Sequence, residues 1–368
     1  MICSPWRSAA KEAKLGACCN KVDECHTLSW LLLPERDESS RNRRFYSLSK
    51  QMVRHISLPS VVAPDDGRKK RVLSSHGWLL VVSESEDNNN NNKVSLFKPF
   101  SGAAVIKLPD IKIKVINDKL AERDNSRHNA TRDNKFVLSD DPSATSNFIV
   151  FLTCIKRDYN ILVFWRNGDS GWTRVEKPPA GLDYRFVTHH CHDITFYQGE
   201  FYGVDTYGKV VKFETASTAS NTSSFRVVAN LPNTLALKRI SAPVSFNWFY
   251  NLVVSGGQLL VVRMVIKYEV RYRTDQQPKC RMRPTRFEVF ELHVNNGNIN
   301  QVLSLGNRSI FIGFNNSSFS VSVSVSVKAH GFKPNCIYYT DVQRILVEGT
   351  CTCWQKSLSS QFEASQIS

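Results

Sequence analysis

Apolar and polar positions along this chain alternate in short runs, and the runs come in pairs around a turn built on glycine. The clearest instance is Asp193 to Tyr197, turn Gln198-Gly199, Glu200 to Asp205, turn Tyr207-Gly208, then Lys209 to Phe213. Asn251 to Val254, turn Gly256-Gly257 and Gln258 to Met264 repeat the same logic, and His76 to Ser83 and Tyr159 to Val175 read as further copies. A period of two sends alternate side chains to opposite faces, so each copy is a small sheet that must bury a face against a neighbour. Sheet units repeated along one chain in this way predict an all-β, kelch-like β-propeller. Such a fold presents a surface rather than a reaction centre, so the pattern predicts a binding module and not an enzyme.

The remaining pattern fills in the ends and connections. Ala9, Ala10, Ala13, Leu15 and Ala17 after Ser8 predict one short helix within residues 1–26. Trp30 to Leu33 predicts a buried strand stopped by Pro34, and Arg44 to Leu48 and Val53 to Leu58 predict two strands closed by Pro59. Asp87 with Asn88 to Asn92 reads as a mobile, exposed loop tip, and Lys119 to Asn134 as a polar loop between blades. Ser320 to Val327 alternates serine and valine, a strand expected to need a partner on both edges. Trp78, Trp165, Trp172, Phe201, Tyr202 and Trp248 are expected to fill the space between blades.

Composition narrows the class. A 368-residue chain with 42% hydrophobic residues can fill a core of this size. No apolar run approaches the roughly 18 residues of a membrane span, so no membrane partner is expected. The first residues lack a continuous apolar segment of the secretory kind, which places the chain in the nucleus or cytoplasm with its ten cysteines as thiols. A net charge of +15 favours an acidic partner. The densest cluster holds Lys267, Arg271, Arg273, Lys279, Arg281, Arg283 and Arg286 against Glu269 and Asp275, and reads as a loop between two strands that could bind anions. Only Tyr268 and Tyr272 interleave with these cations, a thin stacking platform for single-stranded nucleic acid. Nucleic acid or a phosphorylated ligand therefore stands as the alternative partner. Arg68 to Arg71 reads as a solvated basic turn leading into Val72, with a nuclear import signal as the alternative.

Candidate chemistry is sparse. In His189-His190-Cys191-His192-Asp193, alternation places His189, Cys191 and Asp193 on one face and His190 and His192 on the other, so no more than three could meet one ion. Neither Cys18, Cys19, Cys25 and His26 nor Cys351 and Cys353 has the paired spacing of a zinc site. The chain has no Gly-x-Ser-x-Gly, no Walker loop and no recognisable carboxylate pair. No catalytic residue, metal or cofactor is expected.

Several segments carry a family resemblance. His76-Gly77-Trp78-Leu79-Leu80, Leu96 to Gly102 and Ile106 to Pro109 are similar to the opening of plant F-box proteins with a KIB-type β-propeller, the domain of unknown function 295 family. Trp172-Thr173, Ile194 to Asp205 and Phe287 to Phe290 resemble its middle; Leu305 to Gly313 and Lys333 to Asp341 resemble its end. The resemblance implies a partial F-box at 1–26, a propeller at 27–343 and a divergent, flexible tail at 344–368. At roughly 50 residues per blade the propeller would have about six blades. It further implies a substrate-receptor subunit of an SCF-type E3 ubiquitin ligase, with the propeller holding an unidentified protein target. Cys3-Ser4-Pro5-Trp6-Arg7 resembles only the last part of an F-box, with Ile2, Cys3, Trp6 and Arg7 as the adaptor-binding candidates. Ile2, Trp6 and Leu15 are the main apolar side chains of that remnant, too few for the roughly 1,600 Å² of a specific interface. The chain is therefore expected to hold a Skp1-type adaptor weakly or not at all.

Overall fold

The computed structural model describes residues 30–33, 40–47, 52–62, 67–68, 70–83, 91–100, 105–111, 135–156, 159–175, 191–215, 224–232, 244–273, 276–312, 319–322, 334–339 and 365–366. Among them there are only strands and turns, in six sheets that follow one another along the chain. Blade 1 holds β1 (Trp30–Leu32), β2 (Asn42–Ser47) and β3 (Met52–Ser57); blade 2 holds β4 (Lys70–Ser75), β5 (Trp78–Ser83), β6 (Asn92–Phe97) and β7 (Ile106–Ile111). Blade 3 is β8 (Phe136–Leu138), β9 (Ile149–Lys156), β10 (Tyr159–Arg166) and β11 (Thr173–Arg174). Blade 4 is β12 (Cys191–Tyr197), β13 (Glu200–Asp205), β14 (Lys209–Glu214) and β15 (Ser224–Asn230). Blade 5 is β16 (Val244–Ser255), β17 (Gln258–Arg273), β18 (Gln276–His293) and β19 (Asn298–Val302).

Blade 6 breaks the up-and-down rule. Its β20 (Arg308–Ile312), β21 (Phe319–Ser322), β22 (Cys336–Tyr339) and β23 (Ser365–Gln366) lie in the order β21-β20-β22-β23, with β20 and β22 parallel. A hairpin cannot reach a parallel neighbour, so the chain needs a crossover between β21 and β22. The serine-valine repeat enters the described strand only as far as Ser322, and β21 pairs with β20 on one edge. Within the 344–368 tail, Ser365 and Gln366 pair with Ile337 and Cys336; the rest of the tail, and the helix expected near the N-terminus, lie outside the described residues.

The core is a series of seams between successive blades, and it uses the two-residue period on both faces of each sheet. Leu79 and Val81 pack on Leu32, Phe45 and Leu58 of blade 1, while Leu80 and Val82 on the same strand pack on Phe136, Val150 and Leu152 of blade 3. Phe151 and Leu162 turn the other way, onto Phe201, Val211 and Phe213 of blade 4. Tyr202 and Val210 meet Leu259 and Val261, and Leu260 and Val262 meet Ile310 and Ile337. Strands buried on both faces read as unbroken apolar runs, as in Trp78 to Val82. Each such side chain contributes about 1.5–3 kcal/mol by leaving water.

Three of the first-to-second-strand turns share one geometry. His76-Gly77, Gln198-Gly199 and Gly256-Gly257 all have positive φ at both central residues, the primed hairpin turn whose twist matches the strands it joins. Asn92, expected at an exposed loop tip, is instead buried and opens β6, because its backbone pairs with Ile111.

Polar groups tie the same seams. Trp78 Nε1 donates to Asp141 Oδ1 at 2.9 Å, Lys98 Nζ reaches Asp141 Oδ2 at 3.2 Å, and Ser143 donates to Asp141 through both its backbone N–H and its hydroxyl. His76 lies in this knot, with Nδ1 3.1 Å from Ser75 Oγ. Burial lowers the His76 pKa from its ordinary 6.5, opposed by the Asp141 charge. The unfolded chain then takes up a proton near 6.5 that the folded chain refuses, so stability falls as pH drops through this value towards the lower folded pKa. Urea midpoints are expected to be lower at about pH 5.5 than at about pH 7.5, with a smaller difference in His76→Asn. Asparagine tolerates the φ of 48° there.

Candidate functional site

The basic segment expected to be a loop is instead β-hairpin. β17 and β18 outrun the rest of blade 5: β19 pairs only with Val289 to His293, and β16 follows β17 only as far as Glu269. Past the end of β19 the two long strands stay paired with each other, Lys267 with Arg283, Glu269 with Arg281 and Arg271 with Lys279, and after Glu269 β16 has ended too. The reason is the alternation Ile266-Lys267-Tyr268-Glu269-Val270-Arg271, which is a strand pattern with cations on its polar positions. Pro278 and Pro284 obscured it, yet both sit on β18 where no outer strand needs their missing N–H.

Register then sorts the charges. Lys267, Arg271, Lys279, Arg281 and Arg283, with Glu269, hold positions on one face of the hairpin; Ile266, Tyr268, Val270, Cys280, Met282 and Pro284 hold positions on the other. A bulge skips Thr285, whose hydroxyl donates to Val265 O at 3.0 Å, and leaves Arg286 opposite Val265 on the cationic side. Arg273 pairs with Gln276 past a second irregularity near the tip.

The cationic face descends into a pocket of about 510 Å³ between blades 4 and 5. Arg263 forms its floor and is only 2% exposed. Its guanidinium pairs with Glu288, donates to Pro232 O at 2.9 Å and lies over the Phe290 ring at 5.0 Å and the Trp248 ring at 5.6 Å. Arg286, about half exposed, reaches the other carboxylate oxygen of Glu288 at 2.9 Å. Two guanidiniums share one carboxylate, which compensates the buried charge and leaves the pocket mouth positive. Phe290, Ile299, Pro232 and Gln301 complete the wall. The buried Trp248 indole N–H has no acceptor among the described residues.

The other singled-out residues serve the seams. Asp193 is buried and accepts from Ile194 N at 3.0 Å, Leu252 N at 3.0 Å and Asn251 Nδ2 at 3.4 Å, with Lys135 Nζ at 3.4 Å. It therefore joins blades 3, 4 and 5. Burial, and after it the charges of Asp193 and Asp205, push the Cys191 thiol far up, so it stays protonated and a poor nucleophile. His192 stacks on Phe249 at 5.3 Å and accepts from Tyr250 N at 3.4 Å. His189, His190, Ile2, Cys3, Trp6 and Arg7 lie outside the described residues. A second hollow, of about 400 Å³, is lined by Pro142 to Ser146, Phe148, Ile106 and Asn167 and holds no titratable side chain.

The two end segments of the resemblance meet in space. Asn335 Oδ1 accepts from Leu305 N at 2.8 Å, and Asn335 N donates to Arg308 O at 2.8 Å. Arg308 in turn donates to Ser255 O at 2.8 Å and closes over the Gly256 turn, where a Cβ would clash with its Nη1. The same turn accepts the Tyr197 hydroxyl at Gly257 O, 2.8 Å away. These motifs staple blades 4, 5 and 6 together.

Among solved structures, the chain is similar to a suspected 6-phosphogluconolactonase of Bacteroides uniformis (9% identity, 74% of this chain and 94% of that chain, TM-score 0.30). It is also similar to the mannose phosphorylase MPT-4 of Leishmania mexicana (13%, 64% and 67%, 0.26) and to the six-bladed β-propeller lectin of Aleuria aurantia (12%, 72% and 87%, 0.24). No curated protein sequence matches. Residues 45–359 match the KIB1-4 β-propeller model. Running from the second strand of blade 1 to beyond β22, that match makes the chain a member of the KIB1-4 β-propeller family.

Proposed function

We propose that this protein is a non-enzymatic binding propeller that receives a protein target, in the manner of the substrate-receptor subunit of an SCF-type E3 ubiquitin ligase. One observation carries the reading: the buried charged groups are spent on joining blades. Buried Asp193 and Lys135 hold neighbouring sheets together, half-buried Asp141 does the same between blades 2 and 3, and Arg263 ties blade 5 to Pro232 of blade 4 while forming the floor of the pocket between them. Such a body is a rigid holder for loops. In blades 2 to 5 the second and fourth strands end, and the third strand and the next blade's first strand begin, at one end of the sheets. On this reading the protein works in the nucleus or cytoplasm, where its thiols stay reduced.

The ligase role turns on residues 1–26. Co-purification of the chain with a Skp1-type adaptor, beside a version extended by an upstream F-box half, tests it. Binding by either chain that is lost in Trp6→Ala would support the ligase role. Failure of the extended chain to bind would remove that role.

A further inference from the structure

We infer that the segment this propeller receives is acidic and extended, and that it lies along the cationic face of the β17–β18 hairpin with one carboxylate at the mouth of the Arg263–Glu288–Arg286 pocket. The inference rests on the receptor reading above and names the chemistry of its partner. Alternate residues of a strand recur about every 6.8 Å. Alternate side chains of an extended peptide recur at the same interval, so acids at every second position can match the row Lys279, Arg281, Arg283 or the pair Lys267 and Arg271. The pocket at the foot of this row offers Arg286 at its mouth, braced by Glu288, with Phe290 and Ile299 as apolar walls. An acidic side chain flanked by apolar ones suits that mixture.

Two features select against other occupants. Addition of a further strand at β18 would need a continuous row of N–H groups, which Pro278 and Pro284 interrupt. A nucleic acid would bring an unbroken row of phosphates onto a face that also carries Glu269 and Glu288, and Tyr268, which could stack on a base, holds a position on the opposite face. Recognition through discrete side-chain charges fits both constraints.

Fluorescence anisotropy of the full chain tests this with three labelled probes of about 15 units: a peptide alternating Glu and Thr, the same peptide with Gln for Glu, and oligouridine. The Glu peptide is expected to bind at least about tenfold tighter than the Gln peptide, with the difference shrinking as salt is raised. The double variant R281E/R283E should weaken the Glu peptide about tenfold or more, with its unfolding midpoint unchanged because both positions lie beyond the reach of β19, and Arg286→Gln should weaken it several-fold. Equal binding of the two peptides, or insensitivity to R281E/R283E, overturns the inference. Tighter binding of oligouridine, lost in the same double variant, overturns it in favour of nucleic acid. The adaptor assay reads residues 1–26 and stays independent of these variants, so either idea can fail alone.

Discussion

Asp193→Ala is expected to destabilise the protein by about 3–5 kcal/mol, the range for removing one partner of a buried ion pair. Lys135 and Asp193 expose only 7% and 2% of their side chains, so solvent does little to screen what remains. The alanine also orphans the backbone N–H groups of Ile194 and Leu252, each left without its acceptor in the interior. Because those donors belong to blades 4 and 5 and the lysine to blade 3, one substitution loosens two seams. Urea unfolding of the purified variants measures the effect. The double variant Lys135→Met with Asp193→Asn removes both charges and keeps one acceptor, so it should lose less than Asp193→Ala. Equal losses would show that the charge pair is not the source of the penalty.

Phe151→Ala should cost a similar amount, about 3–5 kcal/mol, for a different reason. Phe151 is fully buried, and its ring lies 5.0 Å from Phe201 and 4.9 Å from Phe213, both on blade 4. Truncation removes the transfer energy of the ring and leaves a cavity that two stiff sheets cannot close. Phe151→Leu, which fills most of that space, should lose markedly less. Thermal unfolding of both variants separates a cavity cost, graded with volume, from a general intolerance of change at this position.

Much of the fold was legible in the chain because the informative signal is local. The turns at His76-Gly77, Gln198-Gly199 and Gly256-Gly257 appear where glycine follows or leads between two alternating runs, and positive φ at both central residues is what glycine permits there. Trp78, Trp165, Phe201 and Tyr202 are buried between blades, as large flat rings on doubly packed strands should be. The hairpin from Lys267 to Arg286 was not legible as strand, since its charge density and two prolines resemble a solvated loop. Pairing decided otherwise: a proline is harmless on an outer edge, and a cationic position is tolerable on a face that has run past the core. Nor did the cluster from His189 to Asp193 reveal its role, because the partners of Asp193 are Lys135 of blade 3 and, on blade 5, Asn251 and the backbone N–H of Leu252, 58 and 59 residues away along the chain.

The sequence by itself determined the period, the turns and therefore a chain of sheets buried on both faces, since alternation and glycine conformational freedom act over a few residues. Only the tertiary structure decided which blade each face meets, that blade 6 takes a parallel pair, and that Arg263, Glu288 and Arg286 converge beneath a cationic hairpin. Those outcomes depend on register and on contacts between distant strands, where a shift of one residue exchanges the two faces of a strand.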